Sequence, residues 1–406
     1  MNVNKTKPLF FFITKTGDQG YRRHGLDAER TKGWDEMFTV MCSGMKVVVN
    51  PQGGHLEDVS ISAGGRVMQP LHRAPWRTGE DTGGIPEVFD AGVAPTLQSL
   101  SGDFFCAPFG ADDITDTPEH GLPANGIWLY EQGINHEDGG VTAIFRLREP
   151  ILGAKLFKQI TLRPGHPVVY QRHRFIGGCG ALSVAHHPML RISEGAKLTF
   201  SKKAFGATPE NAVETDASRG FSALRYPQEF DSLSSVELQG GGCQDLTVQP
   251  GPPNAEDFLI LAEEKGSKLG WTAAVLPTAG YIYFAVRDPN VLPFTMLWMS
   301  NGGRKYPPFS GRHKGVIGLE EGCTFFGAGN GPSTRRNWLN DRGYKTAITL
   351  NPHGDTVVDF AFGAIPLPEG WTEVMDISVT ERELVLVSPQ LQRERVPFRR
   401  EWLSTL

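Results

Sequence analysis

No CxxC pair, no long run of one charge sign and no apolar segment long enough to span a bilayer occurs in this chain of 406 residues. Each absence excludes something. The five cysteines, Cys42, Cys106, Cys179, Cys243 and Cys323, are scattered and odd in number, which argues against a disulfide framework and for reduced, mostly buried thiols. Acidic residues number 45 and basic ones 40, for a formal net charge of -5. They are mixed along the chain, so the basic footprint of a nucleic-acid binder is missing. The N-terminal apolar run has only about six residues, short for a secretory h-region and without a small-residue cleavage site after it. With no transmembrane span elsewhere, the expected compartment is the cytoplasm. Neither nucleic acid nor membrane is an expected partner. The ligand should be small and near neutral, and the protein a monomer or homodimer.

Helical patterning is also scarce. What is there has period two: KLFKQITL and VVYQRHRF flank a PGHP turn, and FTVMCSGMKVVV, HLEDVSISA, GVTAIFRL, YIYFAVRD and ELVLVS read as further strands. Gly 48 and Pro 29 supply the turns between them. Hydrophobic residues at 39% are ample for a large core. Many short strands with such punctuation predict an all-β protein, a large antiparallel β-sandwich. No repeat, Ser-rich stretch or charged linker divides it. A single domain over residues 34–406 is therefore expected, preceded by an arm or edge segment at 1–33. Residues 206–220 and 330–343 read as long loops, which often shape binding sites on a rigid sandwich.

Four places carry candidate chemistry. In LSVAHHPMLRIS, alternation puts Leu182, Val184, His186 and Leu190 on one face and Ser183, Ala185, His187, Met189 and Arg191 on the other. His187 shares the more polar face and is expected to look into a cleft, with His186 turned to the interior and Pro188 placed to bend the strand. His120 precedes Gly121 in a turn-rich segment, where a backbone without a side chain lets a ligand come close. Glu320 ends a strand-like run in GVIGLEEGC, a good position for a general base. Asp257 opens the apolar run DFLIL. Taken singly, each has a plain structural alternative: a core histidine, a solvated turn residue, a strand-end acid.

Taken together, the order His120, His187, Asp257, Glu320 resembles that of the aldose 1-epimerase family, the galactose mutarotases and their relatives. His120-Gly121 with Trp128 downstream looks like the family's HG-to-W segment, and HPML at 187–190 is similar to its second histidine motif. DFLIL resembles the segment of its sugar-binding aspartate, and GLE that of its base. The resemblance runs from about Gly53 to Glu320 or beyond. It implies the supersandwich fold of the galactose mutarotase type and an isomerase that interconverts sugar anomers without cofactor or metal. Glu320 would be the base and His187 the acid, with His120 and Asp257 holding hydroxyls and Trp298 stacking on the sugar. Strands from Tyr344 to Ser388 would complete the sandwich.

The family's arginine upstream of the HG motif is missing, and APFGADDI offers Asp112 and Asp113 instead. Arg73 and His72, in PLHRAPWR, are the expected substitutes. The missing arginine leaves room for an alternative, a carbohydrate-binding protein without turnover. A metal site of the cupin kind fits poorly, because adjacent histidines on a strand cannot share a metal. A serine hydrolase lacks its GxSxG elbow. Glu321, beside the base, should turn away from the cleft and tolerate glutamine.

Overall fold

The computed structural model describes residues 13–17 and 36–403, apart from 81, 82, 85, 86, 90 and 91. Of the segment expected as an arm or edge segment, Ile13–Gly17 is the edge strand of a five-stranded sheet, paired antiparallel with Glu36–Cys42. The rest of 1–33 lies outside the described residues.

Two large antiparallel sheets make the sandwich. One has nine strands, with Asp355–Pro366 near its centre between Tyr281–Arg287 and Val168–Ile176. The other has eight and carries the site, with Glu256–Glu263, Phe294–Ser300 and Val316–Cys323 side by side. Lys155–Leu162 shows how the sequence builds such strands. Its burial alternates until the strand passes into the core, and Pro164-Gly165 then turns the chain with Gly165 at φ 74 and a bond from the His166 N–H to the Arg163 carbonyl. Pro presets the first turn position and Gly accepts the left-handed second one.

Alternating residues of the site sheet enter two different cores. Leu259, Leu261, Leu297, Ile317 and Leu319 meet Phe145, Val169 and Phe360 of the nine-stranded sheet between the layers. Ile260, Met296, Trp298 and Phe326 belong to a second cluster on the outer face. Because both faces are covered, Phe294–Ser300 and Val316–Cys323 are buried along their whole length. A third cluster backs the nine-stranded sheet, where Ile377, Leu384 and Val396 of a separate three-stranded sheet pack on Phe284 and Ile365. The C-terminal strands thus divide their work: Asp355–Pro366 completes the sandwich, and residues 376–397 cover its back. The α-helices described are single turns of four or five residues, such as Pro75–Thr78 and Gly121–Asn125. No helix among the described residues is long and apolar enough to cross a membrane.

Candidate active site

A cleft of about 1120 Å³ opens on the outer face of the site sheet, and His120, His187, Trp298 and Glu320 line it. The two histidines of LSVAHHPMLRIS part as alternation requires. His187 faces the cleft. His186 stacks on Phe360 between the sheets, ring centroids 4.4 Å apart.

Register brings the acid and base candidates together. His186 lies opposite Glu321, and Met189 opposite Gly318, so His187 stands across from Glu320 where the ladder is interrupted at Pro188. Directly opposed side chains on one face are close neighbours, and the His187 Nε2 to Glu320 Oε1 distance is 3.0 Å with both side chains buried. The glycine of GLE has a steric reason. A Cβ at Gly318 would lie 2.6 Å from Glu320 Oε1 and 3.2 Å from the Trp298 Cβ, so any side chain there would displace the carboxylate.

Freed from the ladder, the His187 backbone N–H donates to the Phe104 carbonyl and to Asp103 Oδ1, each at 3.0 Å. The Phe104 ring stacks on the imidazole at 4.5 Å. Asp103 is fully buried and also accepts from the Gln171 side chain. Burial opposes its ionisation, but His186, Gln171 and Lys158 outweigh that and hold its pKa below the usual carboxylate value. Two atoms of the pair stay unpartnered and buried, His187 Nδ1 and Glu320 Oε2. Unsatisfied buried polar atoms are rare in folded proteins and call for an explanation.

His120 sits 5.2 Å from His187, centroid to centroid. Burial, reinforced by the charges of His187 and Arg304, drives its pKa well below the ordinary histidine value. Its Nδ1 accepts the Gly110 N–H at 3.3 Å, so the neutral ring carries its proton on Nε2 and can donate it to a ligand oxygen.

The other expected residues go elsewhere. Asp257 faces away from the cleft, its carboxylate accepting the N–H groups of Ala223 and Leu224 at 3.1 and 3.0 Å and the Tyr226 hydroxyl at 3.1 Å. Arg73 is 3.8 Å from Glu57 and is outside the cleft lining. His72 lies behind the site against His313, 4.9 Å away, and burial pushes its pKa down to about 3. Asp112 and Asp113 do not replace the arginine either. Asp112 accepts N–H bonds from Ile114 and Thr115, and Asp113 accepts those of Asn330 and Gly331.

The cationic side chain that lines the cleft is Arg304, which the sequence reading missed. It reaches the cleft from the connection after Phe294–Ser300, with its guanidinium 4.7 Å from the Phe309 ring centroid, 3.6 Å from Glu256 and 3.7 Å from Glu214. Burial works against its charge, and Glu256 and the neighbouring acids outweigh it. Glu256 was missed too. Fully buried one residue before Asp257, it accepts the Trp298 indole N–H at 2.6 Å and the Ser300 hydroxyl at 2.9 Å.

Burial lifts the Glu256 pKa to about 7 against the pull of Arg304, Ser300 and Trp298. A carboxyl raised from its ordinary value favours the protonated folded state. Its contribution is full below about pH 4.5 and is lost as pH rises through about 7, by at most about 3 kcal/mol. Thermal unfolding between pH 5 and 8 should therefore show the parent losing stability relative to Glu256→Gln as pH rises. Parallel curves would contradict this.

The fold defines a class: it is similar to the sandwich of two solved structures described as candidate aldose 1-epimerases. A crystal structure of a candidate aldose 1-epimerase from Escherichia coli K12 superposes over 82% of this chain and 99% of its own, with TM-score 0.52 and 14% sequence identity. One from Klebsiella pneumoniae subsp. pneumoniae, described in the same way, gives TM-score 0.53 and 13% identity over 82% of this chain and 79% of its own. No family model matches the sequence, and no curated protein matches it. At such identities the likeness is one of fold.

Proposed function

We propose that the protein is an aldose 1-epimerase-like isomerase that interconverts the anomers of a sugar by general acid–base catalysis. The observation that carries this reading is the buried 3.0 Å contact between His187 Nε2 and Glu320 Oε1 inside an aromatic-lined cleft. Ring opening requires one proton removed from the anomeric hydroxyl and one delivered to the ring oxygen. Glu320 has a free buried oxygen, Oε2, to accept the first, and protonated His187 supplies the second. The C1 to ring-oxygen bond breaks as the C1 carbonyl forms. After rotation about C1–C2 the transfers run backwards onto the other carbonyl face, and both groups return to their starting protonation. His120 donates from Nε2 to a hydroxyl, Arg304 donates to others, and Trp298 offers its ring to an apolar sugar face. Holding the hydroxyls matters because a misplaced reacting atom loses much of the proximity gain.

A second reading, a sugar-binding protein without turnover, draws on Asp257, which the fold spends on backbone N–H groups. Mutarotation of freshly dissolved α-anomers, followed by polarimetry for the parent and for His187→Asn, separates the two. The expected result is acceleration by the parent and at least about a hundred-fold less by the variant, the scale of general acid–base contributions. No acceleration by the parent with any aldose, although sugar binds, would favour the binding protein.

A further inference from the structure

The proposed proton transfer uses only part of the cleft. Pockets of about 300–1,000 Å³ enclose drug-sized ligands, and one pyranose is far smaller than the cleft of about 1120 Å³. Six of the eight phenylalanine and tryptophan side chains that line the cleft fall into two groups. Phe104, Phe109 and Trp298 surround His120 and His187. Phe325, Phe326 and Trp338 form a second group, in mutual ring contact at 5.2 to 6.4 Å. All six line the same cleft.

The second group is held with care. Phe326 has φ 51, a left-handed conformation that is a genuine outlier for a bulky residue and that persists only where surrounding contacts enforce it. Those contacts are present: the Thr324 hydroxyl donates to the Phe326 carbonyl at 2.7 Å, and Asp113 accepts the Asn330 and Gly331 N–H groups at 2.8 and 2.6 Å. Gly110, at φ 77, lets the loop pass so closely that a Cβ there would lie 2.1 Å from the Gly327 carbonyl oxygen. Trp338 is steadied by Arg342, 4.8 Å from its ring centroid and itself bound to both Glu229 oxygens.

Charge narrows the ligand. Among the described residues that line the cleft, Arg304 is the single lysine or arginine, against Glu119, Glu210 and Glu320, with Glu229 already paired by Arg342. Arg304 already faces Glu256 and Glu214. A phosphorylated sugar would meet net negative charge, whereas hydroxyls can donate to these acids.

We infer that the cleft binds a neutral reducing disaccharide or longer oligosaccharide, its reducing ring at His187 and Glu320 and its next ring against Phe325, Phe326 and Trp338. This rests on the sugar-isomerase reading for the identity of the first ring. Calorimetric titration of the full chain with glucose, galactose, glucose 6-phosphate, maltose, cellobiose and lactose tests it. At least one disaccharide should bind about ten-fold more tightly than its reducing-end monosaccharide, and glucose 6-phosphate no more tightly than glucose. Trp338→Ala should lower that disaccharide-to-monosaccharide ratio about ten-fold, and Trp338→Phe should restore most of it, since a stacking ring is what the site supplies. A phosphorylated sugar that binds more tightly than glucose, or disaccharides that bind no better than monosaccharides, overturns the inference. Exchange of monosaccharide anomers without disaccharide preference would do so while leaving the isomerase reading intact. Tight disaccharide binding without anomer exchange would support the second-ring site and overturn only the isomerase reading. Absence of binding by all six sugars overturns both.

Discussion

Glu320→Gln should slow anomer exchange by about two to four orders of magnitude, the usual consequence of losing a general base, while sugar affinity changes only a few-fold. The substitution preserves shape and can still hydrogen-bond His187, across a contact that is 3.0 Å in the parent. It removes the one property the reaction needs, an anionic oxygen to take the anomeric proton. Catalytic effect and binding effect therefore separate: kcat falls and KM moves little, the signature of an interaction realised in the transition state. Rate constants from polarimetry over a range of sugar concentrations give both. A variant exchanging at the parent's rate would show that Glu320 is not the base.

The second large effect lies one residue on and on the other face of the strand. Alternation turns Glu321 away from the cleft as expected, but tolerance of glutamine does not follow, because the side chain is fully buried between the sheets. It sits 2.7 Å from Arg287 Nε and accepts the Thr272 and Thr295 hydroxyls at 2.6 and 2.8 Å. Arg287 also meets Glu263 at 3.0 Å, and Lys203 meets Glu263 at 2.6 Å. Removing one partner of a buried ion pair leaves a charge without water or counter-charge, at a cost of about 3–5 kcal/mol. Arg287→Met should lower stability by that amount, because it strands two carboxylates on one lysine. Glu321→Gln should destabilise in the same direction by less, since the amide keeps the hydroxyl bonds. Urea unfolding midpoints measure both, and a midpoint within error of the parent for Arg287→Met would contradict the network's role.

Sequence patterning made the layers and the site strands legible where one side-chain period decides the outcome. LSVAHHPMLRIS is the clearest case: alternation alone separates His186 from His187, and the structure buries the first beside Phe360 and leaves the second in the cleft. The strand position of Glu320 in GLE was legible, although the reason for its glycine, room for the carboxylate beside Trp298, needs coordinates. Asp257 was expected in the cleft from the resemblance of DFLIL, but cross-strand register sets it opposite Met299, whereas its neighbour Phe258, opposite Trp298, is the residue that lines the cleft. A one-residue difference exchanges the two faces.

Arg304 and the aromatic loop were hidden for another reason. Neither belongs to a periodic segment. The aim of Arg304 is set by the connection that carries it, which is pinned by its backbone bridge to Gly220. The loop at Phe325 and Phe326 is set by close approach to Gly110 and by the Asp113 cap. Such long-range fastenings leave no local pattern to read. Asp113 stood where an arginine was sought, and its work is to hold the loop on the far side of the chain.

The most direct measurement is exchange NMR on an aldose at anomeric equilibrium, with purified full-length protein added in steps and binding followed in the same samples. If the His187 and Glu320 pair moves the anomeric and ring-oxygen protons, magnetisation transfer between the α and β signals should rise in proportion to protein concentration. Exchange that stays at the buffer rate while the sugar demonstrably binds would contradict it.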